Sequence, residues 1–324
     1  MEGIRDRGLV GFIAVGLFAA VLPAVAQDYP TKPIRLIVPF AAGGSADILG
    51  RLFAQRAALG QPIVVEDVPG ATGSIGLTRA AQSAPDGYTL TTGATSTFVI
   101  SPHISARLTY DPIKDFVPIA VLGMITSVLV VNGKVPANSI GELVALAKAN
   151  PGKLNYASLG TGSSQHLGSE QLRLTTGIDI VHVPYKGSAQ ALNALLADEV
   201  QIFSFPAFVD AMAHLQNGRL RALAVADSTR SAAAPNVPTF TELGYPIERP
   251  SWHILAAPAG TPNAIVQRLA TEVQRVASLE EVRQLLAKQG VEPRGMPPDA
   301  LRKFVAEQYA SYGRLIRDIG IKAE

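Results

Sequence analysis

Short apolar runs of strand length alternate along this chain with segments whose apolar residues recur every three or four positions, which predicts strands alternating with helices. Residues 34–40 read as an apolar strand, followed by a helix whose face carries Ile48, Leu49, Leu52 and Phe53. Further strands are predicted at 62–66, 88–92, 117–124 and 127–131, with a glycine turn at 69–76 that runs into a small-residue helix ending at Ala81. Ser139 with Glu142 forms the capping-box pattern of a helix over 140–149, which Asn150-Pro151-Gly152 terminates. Strands at 180–183, 200–205 and 220–226 and a helix at 189–196 follow. The stretch 231–250, rich in Ala, Pro and Asn, reads as a connection over the surface. A strand at 252–257 then enters a Pro-Gly turn, with Thr261 as the expected N-cap and Pro262 at the first helical position. Helices at 263–277, 279–289 and 298–318 close the chain. The class is α/β.

Within this alternation one pattern occurs twice. RLIVPF-AAGGSADILGRLFAQ (35–55) and KLNYAS-LGTGSSQHLGSEQL (153–172) each run from a strand through a glycine-rich turn into a helix. A helix start exposes backbone N–H groups without intrahelical acceptors and carries partial positive charge, and glycine lets an anionic group approach them closely. Two such turns suggest two lobes that share one small anion, a carboxylate by preference. A tight strand-to-helix connection with no ligand is the plainer reading of either turn alone. Asp47, in the first turn of its helix, suits the helix dipole as a structural carboxylate, or else orients a water or accepts from a ligand hydroxyl. Thr95 and Ser96 follow a strand and offer hydroxyls to a cleft.

Composition narrows the function. Of 324 residues, 48% are hydrophobic and 17% charged, so a folded chain large enough for two domains is expected. The net charge of +2, without a basic block, argues against nucleic-acid binding. Arg5 and Arg7 precede an apolar run over 9–22, and Ala24-Val25-Ala26 completes the pattern of a signal peptide over 1–26. The mature chain is therefore expected in the periplasm. There is no cysteine, hence no disulfide or thiol chemistry. The five histidines show no metal-ligand spacing, and neither a metal nor a cofactor is expected. His166 lies in the first turn of the second glycine-turn helix, facing a cleft or making a structural hydrogen bond. Trp252 reads as core and Lys186 as a surface charge. A layout in which the chain leaves one lobe, builds a second and returns places 27–124 and 251–324 in the first lobe and 125–250 in the second.

Motifs spread over the whole mature sequence carry a family resemblance. They include YPTKPIRLIVPFAAGGSAD (29–47), PGATGSIG (69–76), PDGYTL (85–90), YDPIKDFVPIA (110–120), ANPGKLNYASLGTGSSQHL (149–167), HVPYKGSAQAL (182–192) and APAGTP (257–262). The chain resembles the Bug family, the periplasmic solute-binding proteins of tripartite tricarboxylate transporters. The resemblance implies a two-lobed type II periplasmic binding-protein fold, each lobe a mixed sheet flanked by helices. It also implies capture of a small carboxylate for delivery to integral-membrane transporter subunits, by a monomer with no catalytic activity. By the resemblance the ligand contacts would fall on Ala42, Gly43, Gly44, Ser45 and Asp47, and in the opposite lobe on Gly160, Thr161, Gly162, Ser163 and His166; Phe40, Thr95, Ser96 and Phe205 are further candidates for the same site. Phe205 stands near a position where the family commonly has an acid, which disfavours an amino-acid ligand. Glu66-Asp67-Val68-Pro69 replaces the family's usual Glu-Asn-Arg-Pro and removes a basic residue. The alternatives are a ligand-sensing partner of a membrane kinase and a secreted hydrolase built on Ser45 or Ser163, although no G-x-S-x-G elbow is present.

Overall fold

The computed structural model describes residues 29–288 and 290–321; the expected signal peptide lies outside the described residues. In chain order the elements are β1 (Ile34–Val38), α1 (Ser45–Arg56), β2 (Ile63–Asp67), α2 (Ser74–Ala81), β3 (Thr89–Ala94), α3 (Ser101–Ile104), β4 (Phe116–Ile125), β5 (Ser127–Asn132) and α4 (Ile140–Ala149). They continue with β6 (Asn155–Ser158), α5 (Ser164–Thr176), β7 (Val181–Pro184), α6 (Ser188–Leu196), β8 (Ile202–Ala207), α7 (Phe208–Gln216), β9 (Leu220–Val225) and β10 (Ser251–Pro258). Last come α8 (Asn263–Ser278), α9 (Glu280–Lys288), β11 (Val291–Glu292) and α10 (Pro298–Asp318). A 3-10 turn over Ala71–Gly73 precedes α2, and a π-helical turn over Ser96–Ile100 follows β3.

Two mixed sheets result, ordered β11-β4-β10-β3-β1-β2 and β7-β6-β8-β5-β9. In the first, β1 pairs parallel with β2 and β3, while β10 runs antiparallel to β3 and β4. In the second, β6 pairs parallel with β7 and β8, while β5 runs antiparallel to β8 and β9. The two share one plan, β1 corresponding to β6, β2 to β7, β3 to β8 and β4 to β9. The antiparallel strand of each sheet is exchanged. β5 follows β4 in sequence yet joins the second sheet, and β10 follows β9 yet joins the first. The glycine turns thus leave the strands at equivalent places, the C-terminal ends of β1 and β6, where open α/β sheets bind ligands.

The elements form for ordinary reasons. Ile34, Leu36, Ile37 and Val38 of β1 are fully buried, as a strand covered on both faces requires. Helix α8 buries Val266, Leu269, Ala270, Val273 and Val276 along one stripe. Ser139 Oγ accepts from the Glu142 N–H at 3.1 Å, the cap expected of α4, but the Glu142 carboxylate accepts from the Asn138 N–H at 2.8 Å rather than from Ser139. Thr261 does not cap α8: its hydroxyl donates to the Pro258 carbonyl at 2.8 Å, and Pro262 holds the N-cap position. Nor is 231–250 a loose surface connection. Phe240 and Ile247 are fully buried, Thr239 bridges to Val225, and Phe240 packs on Phe205 at 5.7 Å between ring centroids.

The lobes touch where the chain crosses. Thr126, between β4 and β5, meets Ser231 Oγ at 2.6 Å through its hydroxyl and accepts from the Phe208 N–H at 2.8 Å. Glu292 accepts from the Ser231 hydroxyl and from the Ala232 N–H. Leu167 of α5 packs in the apolar cluster that holds Trp252, Phe98 and Tyr312 of the first sheet's helices and strands.

Candidate functional site

Between the two sheets lies a cavity of about 140 Å3. Its walls come from both lobes. Thr95, Ser251 and Tyr312 belong to the side of the first sheet, and Ser164, Gln165, Ser188, Phe205 and Asp210 to the side of the second; Arg249, in the segment entering β10, bonds Ala226 of the second side through its N–H and lays its guanidinium over Tyr312 of the first. An engineered apolar cavity of about 150 Å3 holds benzene, so the space suits a small organic acid.

The second glycine turn reaches this cavity through the helix it starts. Ser163 is the N-cap of α5, and its Oγ accepts from the His166 N–H at 3.2 Å. The next two residues, Ser164 and Gln165, line the cavity, and their amides are first-turn donors without intrahelical acceptors. Gln165 also donates through Nε2 to the Phe205 carbonyl at 3.3 Å, tying the helix start to β8 on the same side of the cavity. The first glycine turn connects one step removed. Ala42, Gly43, Gly44 and Ser45 are exposed, and Ser45 Oγ meets His253 Nε2 at 2.9 Å. His253 lies two residues along β10 from the cavity-lining Ser251, on the same face of the strand.

Both turns are closed by the same device. The Gly43 N–H donates to Asp47 Oδ2 at 2.8 Å, and the Gly162 N–H donates to His166 Nδ1 at 3.1 Å. In each, a glycine amide is taken by the side chain four residues on, in the first turn of the following helix. Those two amides are therefore engaged within their turns, contrary to the expectation that they grip a ligand directly. Asp47 and His166 are placed accordingly. Asp47 is buried and ion-paired with Arg51 at 2.5 Å; Arg51 also bonds Asp67. Asp67 has its pKa raised, first by desolvation and then by the neighbouring Asp47. His166 is buried and stacks on His182 at 4.2 Å between centroids, with Tyr156 continuing the column and donating to Glu170 at 2.8 Å. Burial first, then His182, lowers the His166 pKa to about 4, which keeps Nδ1 unprotonated and able to accept from Gly162.

Of the other expected residues, Thr95 and Phe205 line the cavity; Phe40, Ser96, Gly160 and Thr161 do not. Thr95 Oγ1 accepts from the Trp252 N–H at 3.0 Å and donates to the Pro250 carbonyl at 3.4 Å, so it braces the start of β10. Ser96 opens the π-helical turn. Phe40 is half-buried just past β1, and Thr161 is exposed. Phe205 is buried with a positive φ of 60°, and its ring occupies the space a side chain on Gly168 would need. Arg249, Asp210, Gln165, Ser188 and Tyr312 were absent from the sequence expectation. Arg249 sits in the aperiodic stretch before β10, where neither repeat nor motif draws attention to it. Asp210 opens α7, a helix the pattern does not predict.

The Ser45–His253 bond has the first two members of a hydrolase triad. His253 Nδ1 has no partner among the described residues, so no carboxylate orients the ring or stabilises an imidazolium. Burial also lowers the His253 pKa to about 4, far below what a base working near neutrality needs. Among the described residues no group of three or more His, Cys, Asp or Glu is placed to hold a metal ion.

Two sheets with exchanged antiparallel strands, joined by two adjacent crossings around a polar cavity, define a two-lobed solute-binding protein of the periplasmic type. Residues 51–321 match the model of the tripartite tricarboxylate transporter family receptors, and the chain belongs to that family. It is 38% identical to protein BugT of Bordetella pertussis over 330 residues, covering 99% of each chain. It superposes on the structure of a Rhodopseudomonas palustris protein with adipate at a TM-score of 0.76, with 32% identity over 92% of this chain and all of the other. A second R. palustris protein, MatC with bound malate, gives a TM-score of 0.71 and 32% identity over 89% of this chain and all of the other.

Proposed function

We propose that the protein is a periplasmic receptor that captures a small carboxylate between its lobes and presents it to the membrane subunits of a tripartite tricarboxylate transporter. The observation that carries this reading is the cavity shared by both sheets, lined by the start of α5 and by a buried cation that rests on Tyr312 of the first sheet's side. Family membership and relatives that hold adipate and malate support the ligand class. Among the described residues no helix is long and apolar enough to cross a membrane. The residue-level reading gives the carboxylate to the amides and hydroxyls at the starts of α1 and α5, on Ala42, Gly44 and Ser45 and on Gly160, Thr161, Ser163, Ser164 and Gln165, the Gly43 and Gly162 amides being taken by Asp47 and His166. Thr95 and Phe205 shape the cavity, while Asp47 and His166 hold the turns closed. The lobes correspond to 27–124 with 251–324 and to 125–250, and the protein acts as a monomer.

Hydrogen bonds to a charged acceptor contribute about 1.5–3 kcal/mol each. Four or five of them contribute about 6–15 kcal/mol in all, a range that reaches past the roughly 8 kcal/mol of micromolar binding to offset ordering costs. Closure follows because only the closed form lets both lobes contact one anion. Calorimetry against a panel of mono-, di- and tricarboxylates tests the reading. One-to-one binding of at least one acid at micromolar Kd is expected. Absence of heat and of any Tm shift across the whole panel refutes it.

A further inference from the structure

Charged groups near the core of this protein come in pairs. Asp47 has Arg51, Glu272 has Arg275, and Glu170 has Arg173. Arg249 departs from this. It is 5% exposed, and among the described residues no carboxylate lies within ion-pair distance of it. Its guanidinium stacks over the Tyr312 ring at 4.6 Å, and Nη1 reaches Ser311 Oγ only at 3.4 Å. Nε is buried with no acceptor at all. The backbone on either side is fixed, since the Arg249 N–H donates to the Ala226 carbonyl at 2.7 Å and Thr95 holds the Pro250 carbonyl. The group cannot shed its charge by deprotonating. Burying an uncompensated ion costs several kcal/mol, so a bare guanidinium in this position needs a reason.

The cavity supplies one, because Arg249 lines it. We infer that Arg249 is the anchor for a second carboxylate of the ligand, and that it sets the preference of this receptor for dicarboxylates over monocarboxylates. This rests on the receptor reading above. One carboxylate sits at the helix starts of the glycine turns, and the other forms a bidentate pair with the guanidinium, for which Arg is better shaped than Lys.

The other titratable groups facing the cavity are Asp210 and Tyr312. Tyr312 is fully buried and has its pKa raised by that burial, so it stays neutral. Asp210 is exposed as a residue, while desolvation raises the pKa of its carboxyl against an opposing Ser188 hydrogen bond. No ion pair joins Asp210 to Arg249 among the described residues, so it does not supply the missing counter-charge.

The test compares a dicarboxylate with the monocarboxylate of equal chain length, adipate with hexanoate and succinate with butyrate, on the full mature chain and on Arg249→Gln and Arg249→Lys. The wild type is expected to favour the dicarboxylate of a pair by on the order of 100-fold, the worth of charge-assisted bonds to one carboxylate. In Arg249→Gln that ratio collapses toward one, and Arg249→Lys retains an intermediate ratio. The ligand-free Tm of Arg249→Gln stays level or rises, because an unpaired buried charge has been removed. Equal wild-type affinity for both members of each pair overturns the inference while leaving the receptor reading standing. So does a variant that keeps the wild-type ratio, or one whose ligand-free Tm falls by several degrees, as a structural arginine predicts. Failure of the wild type to bind any carboxylate counts against the receptor reading itself.

Discussion

Gly168→Ala puts the wall of the cavity under direct stress. A Cβ built on Gly168, in the middle of α5, lies 2.0 Å from Cε2 and 2.1 Å from Cδ2 of Phe205. Ordinary carbon–carbon contact is about 3.5–4.0 Å, so the ring edge has to retreat by about 1.5 Å. Phe240 blocks one direction at 5.7 Å between centroids. The Phe205 backbone is in the left-handed region at φ 60°, with its carbonyl held by Gln165, and cannot easily give way. The open side is the cavity. Overpacking of this kind costs about 1–3 kcal/mol. Replacing a mid-helix glycine by alanine returns about 1 kcal/mol of helix propensity; with a 2.0 Å approach the clash belongs at the upper end of its range and wins by up to about 2 kcal/mol. At about 2–4 °C per kcal/mol for a chain of this order of size, Tm is expected to fall by up to about 8 °C. Affinity for the bound carboxylate is expected to fall with it, as the ring moves into the ligand's space. Phe205→Leu in the Gly168→Ala background is expected to recover part of both losses, with a coupling energy above about 0.5 kcal/mol in the double-mutant cycle. A Gly168→Ala protein that melts at or above the wild-type temperature, as helix propensity alone predicts, refutes this account of the wall.

The remaining predictions concern the braces of the site. His253 and His166 have folded-state pKa values lowered to about 4 by burial, against about 6.5 in the unfolded chain, so below pH 6.5 the unfolded state binds more protons. Stability that is complete near pH 7 is therefore expected to decline as pH falls from about 6.5 to about 4, by up to on the order of 3 kcal/mol for His253. Chemical denaturation at pH 7, 5.5 and 4.5 measures the slope; His253→Gln, which does not titrate, shows a shallower decline, and identical slopes for the two proteins sink the assignment. Thr95→Val leaves the buried Trp252 N–H without its acceptor and is expected to cost about 1–3 kcal/mol, read as a lower denaturation midpoint that Thr95→Ser restores.

The fold was largely legible because its signals are local. Continuous apolar runs such as that of β1 and a stripe such as that of α8 are consequences of burial that any chain with this architecture must display. Helix α4 was readable to the residue, since Ser139 and Asn150-Pro151-Gly152 fix both its ends. What sequence missed depends on distant partners. Helix α7 follows β8 with no residue between them, and Pro206 is the one local sign of the change of element in a mostly apolar run. Strand β11 is two residues long and exists because β4 offers it an edge. The stretch before β10 is aperiodic, yet it is pinned by Phe240 against Phe205 and by Arg249 against Tyr312, contacts spanning 35 and 63 positions of chain. The glycine turns were found because they repeat. Their internal closure was hidden, because it depends on a side chain four residues on that differs in kind between the copies.

That difference bears on how the site treats charge. The first turn closes on a carboxylate, Asp47, whose negative charge would repel an anion at the same helix start, but Arg51 pairs with it. The second closes on His166, whose lowered pKa keeps it neutral and adds no positive charge at the other helix start. Neither copy therefore contributes a net charge to the ligand, and what the turns offer is dipolar: unpaired amides, hydroxyls and helix ends. Dipoles of this kind hold one carboxylate without discriminating strongly among acids that carry it. Discrimination has to come from a full charge elsewhere in the cavity, and among its described walls Arg249 is the cationic side chain. On the proposed reading the repeated turns supply affinity for a carboxylate as such, and the one unrepeated cation supplies the choice among carboxylates. The two properties are separable by mutation because they reside in different elements, the helix starts after β1 and β6 for the first and the segment entering β10 for the second.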